Sequence, residues 1–155
     1  MAAATVMAFS QIQAGRQAQR VANYNAQLYE MDAVNAENEA IVVQQKAEIE
    51  KSRFRREIAR VQGDVRVGFA GGGVDLGSGT VIEILEQNKE QADIDENLIQ
   101  YNANIEKANL QNQAGRSRFS GAAAIQKGKY AKYGSRLKAF GTLLGGAEDA
   151  GMIGN

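Results

Sequence analysis

Not one proline occurs in this chain of 155 residues. Proline is the strongest helix breaker, because its ring clashes with the preceding turn and it has no N–H to donate. Its absence leaves glycine as the only internal punctuation, so helices can run unusually far. The apolar residues are scattered among Ala, Gln and Asn rather than gathered into runs, which argues for elongated helices over a compact globule.

Cysteine, histidine and tryptophan are absent as well. That excludes thiol nucleophiles, disulfides, imidazole bases and Cys or His metal sites. A carboxylate-only site would be the remaining chemistry, but Asp and Glu on long helices serve as solvated or paired surface charges. No catalytic residue, metal ligand or cofactor is expected, and the chain reads as non-enzymatic. The start, Met1-Ala-Ala-Ala-Thr-Val-Met-Ala-Phe9, has no basic residue before its apolar run and breaks at Ser10 and Gln11, a poor match to a signal peptide. No stretch approaches the roughly 20 apolar residues of a membrane-spanning helix.

From Thr5 to Val67 strong helix formers dominate, with apolar positions at Tyr24, Leu28, Met31, Val42, Ile49, Ile58, Val61 and Val65. The spacing of three and four predicts one helix over residues 1–67, about 90 Å long at 1.5 Å per residue. Residues 68–79 then hold six glycines in twelve positions, and at about 1 kcal/mol each against Ala such a run is expected to end the helix. Thr80 with Glu83 has the form of a capping box and predicts a second helix from about Val81. That helix is expected over 80–138, followed by a small-residue tail over 139–155.

The second helix carries a sustained three–four pattern: Ile84, Gln87, Gln91, Ile94, Leu98, Tyr101, Ile105, Ala108, Asn112 and Gly115. This reads as a coiled-coil-like seam for a helix of the same chain or of a second copy, with Ile84, Ile94, Leu98, Tyr101 and Ile105 as its apolar members. An ordinary amphipathic helix is the plainer reading.

Charge supplies the pairing. Lys51, Arg53, Arg55, Arg56, Arg60 and Arg66 precede the glycines, and Glu83, Glu86, Glu90, Asp93, Asp95 and Glu96 follow them. Folding about residue 73 or 74 brings these blocks together and also sets Glu30, Asp32, Glu37 and Glu39 near Lys107, Arg116 and Arg118. Both complementarities predict an antiparallel hairpin of two long helices, an all-α fold with an oligomeric destination, although the same blocks can also match between neighbouring subunits.

Between Lys107 and Glu148 there is no acidic residue, while Lys127, Lys129, Lys132, Arg136 and Lys138 accumulate among Tyr130, Tyr133 and Phe140. This stretch is a candidate contact for DNA or acidic lipid, against the plainer reading of a solvated helix end paired to acids of the first helix. The glycine loop does not fit a phosphate cradle: no Lys-Ser or Lys-Thr follows a glycine, and a helix precedes it instead of a strand. Gly71, Gly72 and Gly73, with Val74 and Leu76 as anchors, instead suit a turn or a loop laid against a partner.

An Ala-rich start, a Gln/Ala/Asn-rich helix, an Arg-rich stretch, Gly71-Gly-Gly-Val-Asp-Leu-Gly-Ser-Gly-Thr80 and then Val81-Ile-Glu-Ile-Leu-Glu86 together resemble the small internal virion proteins of short-tailed bacteriophages. The resemblance spans nearly the whole chain; the Gly-Val-Asp-Leu turn at residues 73–76 carries most of it, and the extra glycines depart from it. It implies a protein packaged near the portal, expelled with the genome, and assembling with itself into a conduit at the host outer membrane. Its implied partners are further copies, other virion proteins near the portal or tail, the host outer membrane, and genome DNA without sequence specificity. A virion part that never leaves the particle, such as a portal- or tail-associated adaptor, and a coiled-coil scaffold are the competing readings.

Overall fold

A computed structural model gives the fold, and it describes residues 2–77 and 79–148. Two α-helices make it up: α1, Ala2–Gly71, and α2, Gly79–Glu148. The all-α expectation holds, and within each compact unit α1 and α2 run antiparallel, as a hairpin requires.

Both helices outrun their expected ends. α1 continues past Val67 through Gly68 to Gly71, because the last turn is closed by a cap rather than broken by the first glycine. Val74 N–H donates to the carbonyl of Phe69 at 3.0 Å and Gly73 N–H to that of Ala70 at 3.1 Å. These six-to-one and five-to-two bonds form a Schellman motif, which needs a left-handed residue after the helix. Gly73 supplies it at φ +74°. Asp75 Oδ1 then accepts from Gly77 N–H at 2.9 Å, an Asx turn that reverses the chain.

α2 begins at Gly79, so Thr80 lies inside the helix and makes no hydrogen bond to Glu83 among the described residues. The expected capping box is therefore not used; Ser78, which precedes the helix in sequence, lies outside the described residues. At the other end α2 runs through Glu148, ten residues beyond Lys138 and into the segment expected as tail. Ala139 is buried there, and the Thr142 hydroxyl shares hydrogen bonds with the Gln11 amide at 3.3–3.4 Å. Packing against α1 thus carries the helix forward. Residues 149–155 of the expected tail lie outside the described residues.

The chain divides into two compact units. The first, Met1–Asn35 with Gln113–Asn155, packs through small residues. A Cβ on Gly128 would stand 2.4 Å from Ala22 Cβ, one on Gly121 3.4 Å from the Ala26 carbonyl oxygen, and one on Gly15 2.7 Å from Ser135 Cβ. Backbones approach this closely only where side chains are nearly absent. The second unit, Ala36–Asn112, has a core of Val43, Ala47 and Ala103 with Ile99 and Leu110 packed on it, and Val81 fully buried near the loop.

Among the buried hydrophobic residues, all but Val43 and Val81 are alanine. This overturns the expected place of the seam within the hairpin. Ile94, Leu98, Tyr101 and Ile105 are 45–61% exposed, and Ile84 is half-buried. The inward row on α2 is instead the buried Ala92, Ala103 and Ala114 with the half-buried Ile99 and Leu110, on the other side of the helix. On α1, Tyr24, Leu28, Met31, Val42 and Ile49 likewise face out, while Ala33, Ala36, Ala40, Val43 and Ala47 face in. The physical reason is distance. Rows of Ala and Gly let two helices pack backbone to backbone, which gains dispersion contact along their whole length but buries little apolar area per residue.

Candidate functional surfaces

In the second unit only part of the charge pairing expected from sequence forms inside the hairpin. Glu96 accepts from Arg55 Nε at 2.7 Å and from the Arg55 Nη2 group, a forked pair, with Lys51 Nζ 3.7 Å away. Lys51 also donates to Gln100 Oε1 at 3.1 Å. Arg53, Arg56, Arg60 and Arg66 make no hydrogen bond or ion pair among the described residues, nor do Glu83, Glu86, Glu90 and Asp93. The second complementarity includes a contact in the first unit, Arg118 Nε to Glu30 Oε1 at 3.2 Å. The Arg55–Glu96 and Lys51–Gln100 pairs place the turn near Asp75, slightly beyond the expected pivot at 73 or 74.

The hydrogen bonds from Arg55 hold the Glu96 carboxyl below its ordinary range against a smaller opposing effect of desolvation, and Lys51 adds to the lowering. The same bonds raise the Arg55 guanidinium. A carboxylate lowered on folding stabilises the fold above its unfolded pKa of about 4.3, and that contribution fades as pH falls through the lower folded value. Glu96→Gln should therefore melt below the parent chain at pH 7 and converge with it on acidification, a comparison read by thermal circular dichroism at both pH values. A gap of constant size would refute the role of the charge.

The five basic residues expected as a contact surface do not form one patch. At 3.6 residues per turn, Phe119, Tyr130, Tyr133, Leu137 and Phe140 lie on the side of α2 away from the buried Gly121, Gly128 and Ala139, and they are 63–76% exposed. Lys129 and Arg136 flank this aromatic stripe on one side, Lys127 and Lys138 on the other. Lys132 sits nearer the helix pair and is half-buried. The result is an exposed apolar stripe between two basic rows.

The loop residues Gly71, Gly72, Gly73, Val74 and Leu76 are all exposed, Val74 at 42% and Leu76 at 41%. Leu76 meets Gln62, Arg66, Ile82, Leu85 and Glu86 in a shallow open groove beside the turn. Three of the glycines thus serve the end of α1, Gly73 foremost.

Sequence reading missed the residues that hold the first unit together: Gly15, Gly121 and Gly128. A signal for them exists, since Gly121, Gly128, Ser135 and Thr142 recur every seven residues, as do Ala26, Ala33, Ala40 and Ala47. Among the described residues no cluster of three or more carboxylates is placed to hold a metal ion, and no helix is long and apolar enough to cross a membrane.

No curated protein and no solved structure matches the chain. A family model does, over residues 1–154, described as the T7 virus internal virion protein gp14 family. With the match running almost end to end over the two helices and their glycine turn, the chain belongs to the T7 internal virion protein gp14 family.

Proposed function

We propose that this internal virion protein leaves the particle with the genome and assembles with itself into a ring or channel that helps DNA cross the host cell envelope. The observation that carries the reading is the inversion of its apolar faces. The hairpin is closed by alanine and glycine, while Tyr24, Leu28, Met31, Ile94, Leu98, Tyr101, Phe119, Leu137 and Phe140 remain outside. Contiguous apolar faces of this kind mark interaction surfaces. A chain with little core of its own gains most of its stability from neighbours, and it can exchange one set of neighbours for another between virion and envelope.

Within this reading the aromatic stripe of α2 between Lys129 and Arg136 on one side and Lys127 and Lys138 on the other is the surface that meets the envelope. Tyrosine rings suit the boundary between headgroups and acyl chains, and flanking cations suit anionic lipid. Because no single helix spans a bilayer unaided, any pore requires several copies whose polar groups face one another or water.

The test is a count of the protein per particle before and after genome release triggered in vitro, with the released fraction recovered on outer-membrane vesicles. Loss from emptied particles together with appearance on vesicles supports the reading. Retention in full number after the genome has gone moves the protein to the competing role, a structural part held near the portal or tail.

A further inference from the structure

The second unit carries two outward faces that do not meet each other and that complement each other. On α2, Ile94, Leu98, Tyr101 and Ile105 form an exposed apolar row, edged by Glu83, Glu86, Glu90 and Asp93, all exposed and without an ion pair. On α1, Ile49, Arg53, Arg56 and Arg60 follow one another at three–four spacing, with Val67 seven residues further on, on the side away from the buried Val43 and Ala47. These too are exposed, and among the described residues the three arginines make no hydrogen bond or ion pair. We propose that these faces are the two halves of one contact between copies: the acid-edged row of α2 in one copy docks on the arginine row of α1 in the next.

Height makes the match specific. Copies related by a rotation axis along the helices sit level, so residues that are level within one hairpin are level across the contact. Counting from the Arg55–Glu96 and Lys51–Gln100 pairs, Arg60 stands level with Glu90 and Gln91, Arg56 with Ile94 and Asp95, and Ile49 with Tyr101. Both the cations and the apolar residues therefore find complementary groups without any shift along the axis. Arginine stems can cover Leu98 and Ile94 while their guanidinium groups reach Glu90 and Asp93, and Tyr101 offers a ring face to a neighbouring cation. The two faces differ, so the contact is heterologous, and a copy that has used one face keeps the other free for the next neighbour.

The inference rests on the reading that the chain assembles with itself, and its test separates the two. Full-length chains are compared by analytical ultracentrifugation: the parent, the triple reversal R53E/R56E/R60E, the triple reversal E86R/E90R/D93R, and an equimolar mixture of both reversals. Like charges facing each other cost several kcal/mol, so each reversed chain alone should self-associate at least roughly tenfold more weakly. The mixture should recover association beyond pairs, because the reversed α1 face of one chain meets the reversed α2 face of the other, and the two unaltered faces form the original contact. Circular dichroism of each variant establishes that both helices persist. As an independent readout, I49C and Y101C chains of different tag length, mixed under oxidising conditions, should give the mixed disulfide far more readily than either alone gives its own dimer.

A parent that assembles while both reversals assemble equally well and no mixed disulfide forms overturns the contact and leaves self-assembly standing. A parent that stays monomeric at every concentration overturns the contact and the assembly reading together.

Discussion

Gly128→Ala is expected to lower stability by about 1–2 kcal/mol, although alanine is the better helix former by about 1 kcal/mol. The reason is the neighbour. A Cβ at Gly128 falls 2.4 Å from Ala22 Cβ and 3.3 Å from Gln19 Cα, well inside the 3.5–4.0 Å at which carbon atoms rest. Neither atom sits at the end of a side chain that can swing away, so the helices themselves must separate. The same substitution at Gly115, also on α2 of the first unit, meets nothing within 4 Å. Gly115→Ala should therefore stabilise by about 0.5–1 kcal/mol. Urea unfolding followed by far-UV circular dichroism decides the matter through the opposite signs of the two shifts. Equal shifts would mean that close approach at Gly128 does not hold the first unit together.

The second large effect concerns lipid. Each cation near an anionic membrane surface contributes about 1 kcal/mol, falling off within a Debye length. Neutralising Lys129, Arg136 and Lys138 to glutamine should thus weaken binding to phosphatidylglycerol vesicles roughly a hundredfold. Y133A/F140A should weaken it as well, with less dependence on salt, since rings bury apolar area where lysines contribute long-range attraction. Vesicle co-sedimentation at two salt concentrations measures both. Unchanged partitioning of the triple variant would remove the stripe from the envelope-contact role, and retention on DNA in its place, falling steeply with salt, would assign the cations to the genome.

The hairpin was legible in the sequence because its signals are large and unambiguous. With no proline anywhere and six glycines in one run, one break in the helix has one place to occur. The charge blocks also carried the register close to its observed value, as the Arg55–Glu96 and Arg118–Glu30 contacts indicate. The row that closes the hairpin was missed because a search for bulky apolar residues finds Ile94, Leu98, Tyr101 and Ile105 first. Those residues are where bulk lies, but the pair closes where bulk is missing. In a chain with alanine at so many positions, the seven-residue recurrence of Ala26, Ala33, Ala40 and Ala47 does not stand out, and the glycines at 121 and 128 read as weak points rather than as contacts. The extension of α2 past Lys138 was hidden for the same reason: Gly141, Gly145 and Gly146 lower helix propensity locally, and only pairing with the start of α1, through Ala139 and Thr142, offsets it. Among the basic residues, position along the sequence was informative about composition but not about face, which is why Lys132 separates from Lys129 and Arg136.

The capped turn at Gly73 has a kinetic consequence. Side-chain hydrogen bonds between the two helices include Arg55 with Glu96, 41 residues apart, and Gln11 with Thr142, 131 apart. Closing the widest loop first would carry the largest entropic cost, whereas pairing outward from the turn closes only a few more residues at each step. Folding should therefore start at the Schellman cap and finish at the two chain ends. Pulling on those ends reverses the order: tension falls on one small-residue contact at a time, beginning with Gln11 and Thr142, so the hairpin opens as a zipper under low force while the turn is the last element to yield.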